Sequence, residues 1–137
     1  MANKTQIIEF LDAQYPQTKC VVQEVGCQGA IISHPIGLAE LRPGGTVSGP
    51  VMMEVADVAL YVAILGEIGL VAMTVTTSLT INFLRKPNAD FALVAKCRLL
   101  KLGRTLVVGE VELFSEGDDR PVAHAVGTYS IPPKDKF

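Results

Sequence analysis

The chain has no tryptophan, only two histidines and three cysteines in 137 residues, and just 6% aromatic side chains. Each shortage excludes something. With no interleaving of basic and aromatic residues and a net charge of −2, nothing draws the chain to nucleic acid or to an anionic membrane. Scattered histidines and the lack of any Cys-x-x-Cys spacing exclude an ordinary zinc site. Cys20, Cys27 and Cys97 are odd in number, and nothing in the sequence resembles a secretory leader, so a reduced, cytoplasmic protein is expected. Charged residues make up only 19%, but hydrophobic ones reach 49%, which is not the composition of a disordered chain. A single domain spanning 1–137, with a sizeable core, is expected.

The long apolar run 51–73 is not read as a membrane span. Glu54, Asp57 and Glu67 interrupt it, and an acidic residue near a bilayer centre costs about 2.5–3.5 kcal/mol. Gly66 and Gly69 divide the run into helix, turn and strand.

The rest of the chain is organised around residues 50–65, which read as one long helix. Pro43, Gly44 and Gly45 lead into it, Pro50 suits the first helical position, and Ser48 or Gly49 serves as N-cap. The helix is apolar on nearly every side, as a helix buried all round must be. Glu54, Asp57 and Tyr61 are the exceptions, and spacings of three and four put them on one stripe. An unpaired buried carboxylate costs several kcal/mol. The stripe therefore meets water or lines a site that uses its charge.

Residues 5–15 read as a short amphipathic lid helix, capped by Thr5 and stopped by Pro16, with Ile7, Ile8, Phe10 and Leu11 on its apolar side. Two short strands follow at 20–25 and 27–33, with Gly26 between them. A turn at 34–37 makes His34 a loop or edge histidine, and 38–41 is a short extended piece. Four strands in a meander are expected after the helix, over 70–84, 91–100, 105–114 and 122–131. In the second, Phe91, Leu93, Ala95, Cys97 and Leu99 share one face, with Lys96 and Arg98 on the other. Turns fall at 101–104 and 116–121, and the tail 132–137 frays. One buried helix beside one curled antiparallel sheet is α+β. A single sheet cannot cover the whole circumference of the helix, so a partner subunit is expected.

Three segments carry a resemblance: Gly45-Thr46-Val47-Ser48-Gly49-Pro50, Val55-Ala56-Asp57-Val58-Ala59, and Ile81-Asn82-Phe83-Leu84-Arg85-Lys86-Pro87. Together they resemble the hotdog-fold acyl-CoA thioesterases, in particular the PaaI-like branch named for phenylacetate degradation. The resemblance implies a curled sheet around one central helix. It also implies hydrolysis of an acyl-CoA thioester to free acid and coenzyme A, with no metal or redox cofactor and with water as second substrate. The family's acidic residue falls on Asp57, eight positions after Gly49. The backbone N–H that polarises the thioester carbonyl falls on Gly49. The hydroxyl that helps place the water falls on Thr76, with Thr77 as the rival alignment. Arg42 stands where the family often has asparagine, and Ser48-Gly49-Pro50 replaces its His-Gly-Gly.

The chemistry agrees with this pattern. Thioester hydrolysis needs an activated water or nucleophile and a donor for the developing oxyanion. A helix N-terminus offers unpaired N–H groups and partial positive charge. Gly49 and Asp57 are about 12 Å apart along one helix, at 1.5 Å per residue. One chain cannot grip a single carbonyl with both. Two antiparallel helices in a homodimer, or in a tetramer of paired dimers, bring one copy's Gly49 to the other's Asp57. Glu54 is the runner-up acid, and Tyr61 or Thr76 could hold Asp57 if it were only structural. Met52, Met53, Tyr61 and the N-terminal helix are expected to line the cleft. Arg85, Lys86 and Arg104, at strand ends, are candidate partners for the phosphates of coenzyme A, set against the reading of a solvated sheet face. Two alternatives to the hydrolase stand: a non-catalytic acyl-CoA binder, and an enoyl thioester hydratase or dehydratase, which wants an Asp–His pair.

Overall fold

The computed structural model describes residues 1–133; most of the tail expected to fray lies outside them. Asn3, not Thr5, caps the first helix, α1 (Lys4–Gln14). Its Oδ1 accepts the Gln6 N–H at 2.8 Å while Gln6 Oε1 accepts the Asn3 N–H at 2.9 Å. This reciprocal pair satisfies two N–H groups that an uncapped helix leaves open. Ile7 and Leu11 are buried beneath α1.

β1 (Val21–Gly26) and β2 (Gly29–His34) form a hairpin. Cys27 and Gln28 are its two-residue turn, with φ of 53° and 59°. Left-handed backbone at both central positions matches the twist of the flanking strands, so Cys27 is turn rather than strand. His34 is neither in a loop nor at an edge. It ends β2, which lies between two other strands, and it is 2% exposed. Of residues 38–41 only Leu41 is extended: Leu38–Glu40 is a single 3-10 turn. β3 (Leu41–Arg42) and β4 (Thr46–Val47) pair across the Pro43-Gly44-Gly45 turn.

The central helix α2 runs Gly49–Ile68, three residues beyond the expected end. Ser48 is the N-cap, its Oγ accepting the Val51 N–H at 3.3 Å, so Pro50 sits one place inside the first turn. Gly66 does not stop the helix. It lets the helix lie against β1, because a Cβ there would meet Val25 Cγ2 at 2.6 Å. Gly69, with φ of 96°, is the true stop.

β5 (Val75–Phe83) begins later than residue 70, because a turn occupies the residues before it. β6 (Leu93–Leu102), β7 (Leu106–Ser115) and β8 (Ala123–Ser130) follow. Phe91 lies before β6 and is exposed, and Lys101 and Leu102 belong to the strand, not the turn. All pairings in the six-stranded sheet are antiparallel, in the order β1-β2-β6-β7-β8-β5. The expected four-strand meander is therefore corrected. β6, β7 and β8 are consecutive neighbours, but β5 pairs with β8 and lies at the far edge. Between β5 and β6 the chain passes the places of β8 and β7, which it fills later, to pair β6 with β2.

The sheet's inner face packs on α2. Leu60 is fully buried, with one methyl beneath Gly109 of β7 and the other beneath Gly127 of β8, residues that are paired in register. A Cβ at either glycine would meet Leu60 at 2.6 or 2.5 Å, so these glycines set how closely helix and sheet approach. None of the described helices is long and apolar enough to cross a membrane.

Candidate active site

Burial along α2 leaves a gap on the expected stripe. Val55, Ala56, Val58, Ala59 and Leu60 are buried, while Asp57 and Tyr61 are half-buried and Glu54 is exposed. Asp57 opens into a cleft of about 550 Å³ lined by Phe10, Tyr15, Tyr61, Thr76 and Tyr129 among others. α1 contributes Phe10, so the N-terminal helix does form a wall. Met52 does not line the cleft; it is buried in the core at 5% exposure, and Met53, 40% exposed, is also outside it.

Two hydroxyls converge on Asp57 Oδ1. Thr76 Oγ1 donates at 2.7 Å and Tyr129 Oη at 2.8 Å. Register explains the convergence: Thr76 of β5 stands directly opposite Tyr129 of β8, and opposite residues share a face. Thr77 is the extra residue of a β-bulge between Thr76 and Ser78, and its hydroxyl donates to the Thr128 carbonyl at 3.2 Å. The structure thus joins Thr76, not Thr77, to Asp57. Tyr61 does not hold Asp57; its hydroxyl donates to the Ala72 carbonyl at 3.1 Å. Among the described residues Asp57 Oδ2 has no donor.

Tyr129 carries no local mark in the sequence. Its signal is faint: a tyrosine on the buried face of an alternating strand must find a partner for its polar tip. It also donates to the Asp57 backbone carbonyl at 2.9 Å. Burial, and then the charge of Asp57, push the Tyr129 phenol up, so it remains a donor through neutral pH. Burial likewise raises Tyr61 and Tyr15, the latter helped by the charge of Glu54. Phe10, Tyr61 and Tyr129 form a tilted row, with centroids 6.5 and 6.2 Å apart.

The remaining predicted residues are dispersed. Gly49 opens α2, and its N–H finds no acceptor among the described residues; the Phe83 ring lies 3.3 Å from where a Cβ would be. Ser48 caps the helix and Pro50 is exposed on its first turn. Arg42 is exposed on β3. Glu54 does not line the cleft; its Oε2 lies 3.7 Å from His34 Nε2. Since His124 pairs with Glu110 at 3.1 Å, neither histidine partners Asp57.

The cations do not form one patch. Lys96 stands over the Phe114 ring and Arg98 pairs with Glu110, both as sheet-surface residues. Arg85 follows the Phe83 end of β5. Arg104 lies by the Val75 end, since Val75 pairs with Ser130 and Ser130 with Leu106. Nine residues of strand separate those ends, about 26 Å. Arg104 borders a second, more apolar cavity with Leu70, Met73, Leu102 and Ile131.

Comparison with known proteins matches residues 44–122 to the profile of the thioesterase superfamily. Among solved structures, a candidate thioesterase from Silicibacter sp. TM1040 is 41% identical, with 96% of this chain and 92% of that one covered and a TM-score of 0.88. The PaaI protein from the phenylacetic acid degradation operon of E. coli is 19% identical over 95% of this chain and 91% of that one, with a TM-score of 0.81. A hypothetical thioesterase from Streptococcus pneumoniae TIGR4, solved with coenzyme A, is 19% identical over 92% and 96%, with a TM-score of 0.77. No curated protein matches the sequence significantly.

Proposed function

Because this chain belongs to the thioesterase superfamily and has the hotdog fold, we propose that it hydrolyses an acyl-CoA thioester to the free acid and coenzyme A, with Asp57 as the reacting acid. The observation that carries this reading is the half-buried Asp57 carboxylate facing a cleft, with one oxygen held by two hydroxyls and the other without a donor among the described residues.

In this reading Asp57 Oδ2 takes a proton from water as the water oxygen attacks the thioester carbonyl, or attacks the carbonyl itself, in which case water then hydrolyses the mixed anhydride left after C–S cleavage and returns the carboxylate. Thr76 helps place the water. The carbonyl oxygen gains negative charge and is stabilised by the Gly49 N–H at a helix N-terminus. Collapse of the intermediate breaks the C–S bond and releases the thiolate, which takes up a proton. Gly49 and Asp57 of one helix are too far apart to serve one carbonyl, so the site is split between two antiparallel copies. β5, the edge strand that carries Thr76, is exposed along most of its length, and such an edge invites pairing with a second chain. The same fold carries coenzyme A in the pneumococcal structure, which is the precedent for the CoA moiety.

The test is release of free thiol from short, medium, long and aryl acyl-CoA esters. Asp57→Asn and Asp57→Ala abolish turnover while the far-ultraviolet dichroism and thermal midpoint stay close to those of the parent. Full activity in either variant rules out the acid. Acyl-CoA binding by the parent with no thiol release identifies a binding protein instead.

A further inference from the structure

Asp57 has two carboxylate oxygens and an unequal distribution of donors between them. Both hydroxyl donors reach Oδ1, and none of the described residues reaches Oδ2. The donors differ in kind. Thr76 is exposed on an edge strand, and its hydroxyl turns on a single bond. Tyr129 is 3% exposed on β8, flanked by β7 and β5, with Tyr61 stacked at a tilt against its ring. Its phenol proton is shared between Asp57 Oδ1 and the Asp57 backbone carbonyl, at 2.8 and 2.9 Å. A rigid donor that holds both the side chain and the main chain of one residue leaves that side chain little rotational freedom.

We propose that Tyr129 is the positioning residue of this site: it fixes the Asp57 carboxylate so that Oδ2 is always the oxygen presented to water and substrate. The inference rests on the reading of Asp57 as the reacting acid. Tyr129 touches neither water nor thioester; it acts through Asp57. Thr76, freed from sole responsibility for Oδ1, can turn toward the water without loosening the acid. Orientation of this sort acts on the chemical step far more than on binding.

The experiment compares Tyr129→Phe with Asp57→Asn and the parent in steady-state thiol release across pH. Tyr129→Phe keeps the ring and its packing and removes one donor. It is expected to lower kcat by about 10- to 100-fold with KM within about twofold. A residue that only packs would leave that split unmoved. Incorporating 3-fluorotyrosine at position 129, a stronger donor of nearly the same shape, changes kcat with KM again within about twofold and serves if the phenylalanine variant does not fold. An inactive Asp57→Asn beside a Tyr129→Phe with parental kcat, or a parental kcat with fluorotyrosine, overturns the role of Tyr129 and leaves Asp57 standing. An active Asp57→Asn overturns both.

Discussion

Thr77 spends its hydroxyl on the Thr128 carbonyl, and the bulge it creates keeps Thr76 aimed at Asp57. One residue of register therefore separates a hydroxyl beside the proposed chemistry from one that stabilises strand pairing. Thr76→Val, which removes the hydroxyl at nearly constant volume, is expected to lower kcat at least tenfold more than Thr77→Val, as loss of a hydrogen bond to a charged group worth about 1.5–3 kcal/mol would. Equal losses measured by thiol release would restore the rival alignment. At this scale the sequence revealed what lies on a period. Asp57 stands out because a carboxylate on an otherwise apolar helix needs a reason, and Thr76 follows only from the family resemblance. Tyr129 stays hidden because it lies 72 residues from Asp57 and is brought to the site by the pairing of β8 with β5. His34 misleads for the opposite reason. A histidine before proline looks like a turn, yet its Nδ1 satisfies itself on the Pro35 carbonyl at 2.7 Å, and this allows burial at a strand's end.

The start of α2 is tied down by a residue that the spacing of apolar positions could not disclose. Glu40, 6% exposed, accepts the Gly37 N–H and the Lys19 ammonium, both at 2.8 Å. Its backbone carbonyl accepts the N–H of Ser48, the cap of α2, at 2.9 Å. The Lys19 contact, helped by the Gly37 N–H and opposed by burial, holds the Glu40 carboxyl below its usual range. The folded state then binds fewer protons than the unfolded chain, whose glutamate titrates near 4.3. The resulting stability is complete above that value and is lost as pH falls through the lowered folded value. Glu40→Gln is expected to cost about 1–3 kcal/mol at pH 7, as removing a charged hydrogen-bond partner does, and the gap to the parent narrows below about pH 4. Urea denaturation at pH 7 and pH 3.5 measures it. A gap of constant size would mean that the charge of Glu40 contributes nothing. The elements themselves were largely legible, since helices and strands announce their periods. Pairing was not. β5 has an alternating, threonine-rich sequence that suits either neighbour, and its place beside β8 comes from the crossover rather than from any residue within it.

For the whole molecule the decisive geometry is a length. Gly49 and Asp57 share one helix, eight residues and about 12 Å apart, so in the proposed mechanism a single chain carries an acid without its donor and a donor without its acid. The sequence already contained that mismatch, but not the face on which a second copy would resolve it. The face we propose for it is edge strand β5, where Val75, Phe83 and the adjoining Leu84 are about half exposed. Antiparallel pairing through it also carries the Arg85 and Lys86 end of one copy toward the Arg104 end of the other, which would unite cations that lie apart in one chain. Complementation tests the arrangement directly. Asp57→Asn removes the acid, and Gly49→Pro removes the donor while keeping the helix start, since a first-turn N–H has no acceptor within the helix. Each variant alone is expected to be inactive. Refolded together in equal amounts, half of the dimers are mixed, and each mixed dimer has one site with both lesions and one with neither. Activity should therefore return to about a quarter of the parental value per chain, as two-fold symmetry requires. Mixed dimers that form, shown by native mass spectrometry, yet release no thiol would place acid and donor in the same chain after all, and the split site would have to be abandoned.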